Sequence, residues 1–100
     1  MYIAMNRFQV NAGFEAGFEE MWRKRDSYLG QVPGFKEFHL LRGETKEGLT
    51  LFVSHSVWAS REAFTAWTES ESFQKAHADA RSPAGTLAGH PVFEGFTIVL

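Results

Sequence analysis

The chain has 100 residues, of which 44% are hydrophobic and 22% charged, a composition typical of one soluble globular domain over residues 1–100. Its formal charge of −2 argues against a nucleic-acid partner, since such partners usually need a basic face. Without cysteine, disulfides, cysteine-ligated zinc and iron–sulfur clusters are excluded. Neither a signal peptide nor an apolar run long enough to span a membrane is recognisable, which predicts a cytoplasmic protein with no membrane partner.

Aromatic residues make up 15% of the chain, which is high for so short a domain. A chain of this length buries only about 60–70% of its unfolded surface. The surplus of rings therefore either fills the core or lines a surface for a partner subunit or a flat apolar ligand.

The first half of the chain predicts a strand followed by a helix. Alternation of side chains indicates a strand over residues 1–10. Asn11 is a suitable N-cap for an amphipathic helix over residues 13–29, whose apolar residues recur at helical spacing. Pro33 and Gly34 end this unit.

The second half predicts a hairpin, a helix and a last strand. Residues 35–42 and 49–57 alternate as two antiparallel strands, joined by a polar turn over 43–48. Ser60 caps a second helix, and residues 91–99 return to strand character. The resulting order is the split βαβ pattern of an α+β, ferredoxin-like fold with both helices on one face of an antiparallel sheet.

The other face of that sheet must also be covered. Four large residues alternate with polar ones on the middle strands, which indicates a mixed second face: Phe38, Leu40, Phe52 and Trp58. Packing of two such sheets against each other would cover it, so we expect a homodimer.

Asn6 and His77 break the pattern of their elements. Asn6 lies on an apolar strand face, where an amide without a partner costs about 1–3 kcal/mol. It either bonds to nearby backbone or donates to a ligand. His77 follows Phe73 by four residues, in a helical stretch that restarts near Ser70 or Ser72. It is either an ordinary packed histidine or an axial ligand of haem iron.

These residues resemble those of the IsdG-type haem-degrading monooxygenases of the antibiotic-biosynthesis-monooxygenase superfamily. The likeness covers nearly the whole chain: MYIAMNRFQV at the start, VPGF at 32–35, SVWASREAFTAW at 56–67 and SFQKAHA at 72–78. The tryptophan-containing stretch is typical of the wider superfamily. The combination of Asn6, Trp67 and His77 narrows the resemblance to haem degradation.

The resemblance implies a ferredoxin-like subunit that dimerises into an α/β barrel, with one haem per subunit as both substrate and cofactor. His77 would be the proximal iron ligand, Asn6 a hydrogen-bond donor on the opposite side, and Trp67 the group that buckles the macrocycle. The reaction would use O2 and an external electron donor, either a reductase or a small-molecule reductant. It would open the ring to a linear tetrapyrrole and release iron for iron acquisition.

Three aromatic residues are candidates for the walls of a haem cleft, although they are equally suited to an ordinary core: Trp22, Phe64 and Phe73. Arg23 and Arg25 are candidate partners for the haem propionates. The turn-rich segment 82–90 is expected to fold over one edge of the cleft.

Three other interpretations remain open from the sequence. A cofactor-independent monooxygenase of the same superfamily would act on quinol-type substrates in the same cleft. A haem-binding or delivery protein would need His77 but no turnover. A dimeric barrel with an empty cleft would need neither His77 nor a bound haem.

Overall fold

The structure is a computed structural model that describes residues 1–25, 29–71, 73–74 and 83–100. Along the chain lie β1 (Tyr2–Asn11), α1 (Glu15–Lys24), a 3-10 turn (Leu29–Gln31), β2 (Phe35–Lys46), β3 (Leu49–Trp58), α2 (Arg61–Thr68) and β4 (Val92–Thr97). The strands form one antiparallel sheet in the order β2-β3-β1-β4. This is the ferredoxin-like α+β fold that the sequence predicts.

Both helices pack on the same face of the sheet, called here the inner face. In α1, Phe18 packs with Val10 and Phe52. In α2, Trp67 packs with Tyr2 and other buried residues of the first and third strands. Because side chains alternate along a strand, the even-numbered residues of β1 and β3 form this inner face. Within the described ranges, none of the helices is long and apolar enough to cross a membrane.

The predicted start of the first helix is wrong. Asn11 ends β1 rather than capping α1: its backbone N–H donates to the carbonyl of Thr86, and its side-chain amide donates to that of Gly85 at 2.7 Å. These long-range bonds extend the strand and override the local capping preference. The helix begins at Glu15, whose carboxylate accepts a hydrogen bond from the Gly13 N–H at 2.7 Å. It ends at Lys24, and Leu29 lies in the separate 3-10 turn.

The hairpin turn is shorter than predicted. Residues 43–46 belong to β2, since Thr45 and Lys46 are the register partners of Thr50 and Leu49. Only Glu47 and Gly48 remain between the strands, with φ of 54° and 78°. Positive φ at both central residues is typical of the tight turns whose twist matches that of a hairpin.

The face assigned to four large residues must also be corrected. Phe38, Leu40, Phe52 and Trp58 lie on the inner face, as part of or packed against the core beneath the helices. A one-residue error in register reverses the face of every side chain. The predicted cap of α2 is confirmed, because Ser60 Oγ accepts a hydrogen bond from the Ala63 N–H at 3.1 Å.

A candidate active-site cavity between helices and sheet

A cavity of about 1120 Å³ lies between the inner face of the sheet and the helices. Ligand pockets typically measure about 300–1,000 Å³, so this one is large for a domain of this size. Its lining is rich in aromatic residues, among them Trp22, Phe38, Phe64, Trp67, Phe73 and Phe93. The surplus of rings in the composition is therefore divided between the core and this cavity.

Trp67 forms a rigid part of the helical wall. Its indole stacks on Trp58 with ring centroids 5.4 Å apart and meets Phe73 edge-on at 4.8 Å. Trp58 behind it is fully buried, and Trp67 itself is 9% exposed. Because the buried Trp58 lies directly behind it, the Trp67 indole has little room to move away from a large ligand.

Trp22 and Arg25 line another part of the cavity. Trp22 stacks on Phe38 with centroids 5.6 Å apart, and the guanidinium carbon of Arg25 lies 4.5 Å from the centroid of the Trp22 ring. Burial lowers the pKa of Arg25, although an arginine remains protonated at neutral pH. The buried Trp22 Nε1 has no hydrogen-bond partner among the residues that the structure describes.

The two arginines named from the sequence differ in position. Arg25 lines the cavity, whereas Arg23 lies on a smaller adjoining groove. Arg23 also pairs with Glu20 at 3.2 Å and with Glu19 at 3.5 Å on its own helix. Because Arg25 lines the cavity and Arg23 does not, Arg25 is the better placed of the two to meet an anionic group of a ligand.

Polar side chains lie in the centre of the sheet floor. Asn6 of β1 and Ser54 of β3 are register partners, and both line the cavity. Ser56, two residues further along β3, accepts a hydrogen bond from Trp58 Nε1 at 2.9 Å and donates to the carbonyl of Ala4 at 3.4 Å. Across the described ranges, by contrast, the side chains of Asn6 and Ser54 make no hydrogen bond. The floor thus presents to a mainly apolar cavity two polar groups that no described residue engages.

The histidines occupy different parts of the molecule. His77, the predicted iron ligand, lies outside the described residues. His39 and His55 are register partners on the opposite face of the sheet, with ring centroids 6.3 Å apart. His90 lines the cavity. In the part of the chain that the structure describes, no group of three or more histidine and acidic side chains could hold a metal ion.

The structure brings together five of the six residues that the sequence names as site residues. Around one cavity it places Asn6, Trp22, Phe64, Trp67 and Phe73. Sequence reasoning missed Ser54 and His90. Ser54 could have been found from the pattern of β3, where two serines interrupt an apolar face at period two. His90 lies between the bridge residue Leu87 and the start of β4, where no periodicity marks it.

Comparisons with known proteins agree on one family. The family model "Antibiotic biosynthesis monooxygenase" matches residues 1–79. A mycobilin-producing heme oxygenase of Mycobacterium tuberculosis is 34% identical over 93 residues, covering 92% of this chain and 86% of that protein. The structure of the heme-degrader MhuD of Mycobacterium tuberculosis, with two hemes in its active site, superimposes with a TM-score of 0.75 at 27% identity, covering 100% of this chain and 97% of MhuD.

The same fold also occurs without a cofactor. SnoaB, a cofactor-independent oxygenase from Streptomyces nogalater, superimposes with a TM-score of 0.72 at 23% identity, covering 99% of this chain and 93% of its own. At that identity the likeness concerns the fold alone. The heme oxygenase relative, at 34% identity, is more similar in sequence than SnoaB, and the family model matches residues 1–79. The chain belongs to the antibiotic biosynthesis monooxygenase family.

Proposed function

We propose that this chain is a haem-degrading monooxygenase that binds haem between its helices and its sheet. It opens the porphyrin ring to a linear tetrapyrrole and releases iron, using O2 and electrons from an external donor. The observation that carries the proposal is one large apolar cavity that has both Asn6 and Trp67 in its lining. The relative that is 34% identical and named a heme oxygenase supports it.

The described residues fit a porphyrin. A flat apolar macrocycle suits aromatic walls, and the cavity has such walls on its helical and sheet sides. Haem also carries two propionates, and Arg25 offers a guanidinium for one of them. Asn6 adds a hydrogen-bonding amide that no described residue engages.

Each site residue has a role set by its chemistry. When bound, haem supplies the iron at which O2 reacts and the ring that is opened. By resemblance, His77 would hold the haem iron. Asn6 can donate a hydrogen bond to a small polar ligand without giving up a proton, because its amide is neutral. Trp67, supported by the buried Trp58, would resist displacement and so would press on the macrocycle.

The homodimer is part of the same proposal. The outer face of the sheet carries apolar residues that no described helix covers, among them Ile3, Met5, Leu41, Val53 and Phe96. Leu41 and Phe96 are each 44% exposed. A second copy of the sheet would bury this face.

Sedimentation velocity tests the dimer. We expect the wild-type chain to sediment as a dimer, Val53→Glu to dissociate it, and Lys46→Glu, at the exposed hairpin end, to leave it intact. A wild-type chain that sediments as a monomer at all concentrations would contradict the dimer.

Hemin titration of the purified protein tests haem binding. We expect a Soret band that saturates at one hemin per subunit and is lost in His77→Ala. The matched controls are His55→Ala, on the outer face, and His90→Ala, at the cavity. An unchanged spectrum in His77→Ala together with a changed one in His90→Ala would move the ligand to His90.

A second assay separates an oxygenase from a carrier. With ascorbate in air, the wild-type complex should lose its Soret band and release iron to a chelator, and mass spectrometry should find a linear tetrapyrrole. Asn6→Ala should still bind hemin but turn it over slowly. A complex that survives these conditions would be a haem-delivery protein. Failure to bind hemin, combined with oxygenation of a quinol, would favour the cofactor-independent chemistry.

A further inference from the structure

Ser54 occupies the middle of the cavity floor, next to the residue on which the proposed function depends. One row of register partners crosses the inner face: Leu40 on β2, Ser54 on β3, Asn6 on β1 and Phe93 on β4. The two central members of this row are polar and the two outer members are apolar. Ser54 is only 7% exposed.

The other buried hydroxyls of β3 on this face are already engaged. Thr50 donates to Glu15 Oε2 at 2.8 Å, and Ser56 bonds to Trp58 and to the carbonyl of Ala4. Ser54 makes no such bond within the described ranges. A buried hydroxyl without a partner is costly, so Ser54 needs one once a ligand excludes water from the floor.

Asn6 also lacks a hydrogen-bond partner for its side chain among the residues that the structure describes, and its amide oxygen could accept from a hydroxyl. A side-chain amide has a carbonyl oxygen and an NH2 group, and either can face the cavity. The inner-face neighbours of Asn6 on its own strand, Ala4 and Phe8, have no side-chain hydrogen-bonding groups, and neither has Phe93 on β4. Directly opposed residues of an antiparallel pair have Cβ atoms about 4.5–5.5 Å apart, which brings the Ser54 hydroxyl within reach of the amide by a change of rotamer.

We propose that Ser54 is a positioning residue for Asn6. When a ligand fills the cavity, the Ser54 hydroxyl donates to Asn6 Oδ1, which leaves Asn6 Nδ2 directed at the ligand. Without this bond, the amide is free to present its oxygen instead, and an oxygen cannot donate. The inference rests on the proposed haem-binding function, because it assigns the donor that faces the haem.

Fluoride binding to the ferric haem complex tests the orientation, since fluoride accepts hydrogen bonds and requires no turnover. We expect Ser54→Ala to bind hemin as the wild type does but to bind fluoride about fivefold more weakly. Ser54→Thr, which keeps the hydroxyl, should restore the wild-type fluoride affinity. Thr50→Val is the matched control: it removes an engaged hydroxyl on the same strand and face, at a residue that does not line the cavity, and should leave fluoride affinity unchanged.

A double-mutant cycle separates positioning from direct contact. If Ser54 acts through Asn6, Ser54→Ala has no further effect on fluoride affinity in the Asn6→Ala background. An equal loss in both backgrounds would mean that Ser54 contacts the ligand itself, and a fluoride affinity in Ser54→Ala equal to that of the wild type would mean that it has no role. Either result overturns the proposal while leaving haem binding intact. Failure of the wild-type chain to bind hemin would instead overturn the proposed function and, with it, this inference.

Discussion

The two ends of the inner sheet face are built from the same strands but differ in how completely they are packed. At the packed end, Val10 and Phe52 are at most 1% exposed, and neither lines the cavity. At the cavity end, the buried pair of Trp58 and Trp67 is surrounded by partly buried rings that line open space. We therefore expect truncation of a side chain to cost more stability at the packed end than at the cavity end, where the proposed binding site lies.

One polar pair at each end shows a similar contrast in hydrogen bonding. At the packed end, the Glu15 carboxylate accepts hydrogen bonds from the Gly13 N–H and from the Thr50 hydroxyl. Because Thr50 donates its one hydroxyl proton to Glu15, Thr45 is the donor in the 2.6 Å bond between the two threonine hydroxyls. At the cavity end, Asn6 and Ser54 have no hydrogen-bond partners among the described residues. Polar groups left free in an apolar site are typical of functional positions, where local stability is given up for binding.

The largest expected effect comes from truncating one phenylalanine at each end. Phe52→Ala removes a fully buried ring that packs on Phe18 at 5.0 Å, which should lower the free energy of unfolding by about 3–5 kcal/mol. Phe93→Ala removes a ring that is 48% exposed and stacked on Phe64, which should cost only about 1 kcal/mol. Urea denaturation of the ligand-free protein measures both.

Haem affinity should show the opposite order. Phe93 lines the cavity whereas Phe52 does not, so hemin binding is expected to weaken in Phe93→Ala and to persist in folded Phe52→Leu, the variant to use if Phe52→Ala fails to fold. Equal losses of stability in the two alanine variants would show that the cavity end is as tightly packed as the other.

Much of the fold could be predicted from the sequence because its signals are local. The strand character of β1, β3 and β4 and the Ser60 cap depend on neighbours within a few residues, and the structure confirms them. The predicted element boundaries were wrong where contacts between residues distant in sequence determine the local structure. Asn11 is held by the carbonyls of Gly85 and Thr86, which no local pattern shows.

The site was predicted less completely than the fold for the same reason. Asn6 and Trp67 stood out because each breaks or completes a pattern within its own element. Ser54 matters only because the register places it opposite Asn6, and His90 only because its loop lies at the cavity. Strand register and loop path depend on the whole fold.

A smaller effect should distinguish two serines of the same strand. Ser56→Ala leaves the buried Trp58 Nε1 without an acceptor, which should cost about 1–3 kcal/mol of unfolding free energy. Ser54→Ala removes a hydroxyl without a partner and should change the stability of the ligand-free protein by no more than about 0.5 kcal/mol. Thermal and urea denaturation at neutral pH measure the difference. A cost for Ser54→Ala as large as that for Ser56→Ala would mean that Ser54 is engaged before any ligand binds.

The smallest expected effect is a pH dependence at the packed end. Hydrogen bonds to its carboxylate, from the backbone first and then from Thr50, lower the pKa of Glu15. Because the folded pKa lies below the unfolded one, of about 4.3, these bonds contribute in full above that pH and are lost as the pH falls through the folded pKa. Replacing Glu15 by Gln should therefore lower the free energy of unfolding at pH 7, and the difference from wild type should shrink in acid. Thr50→Val, which removes one of the donors, should weaken this pH dependence. Urea denaturation from pH 7 to pH 3 measures the difference in unfolding free energy between wild type and Glu15→Gln. A difference that stays constant over this range would show that the Glu15 charge contributes nothing to the stability of the packed end.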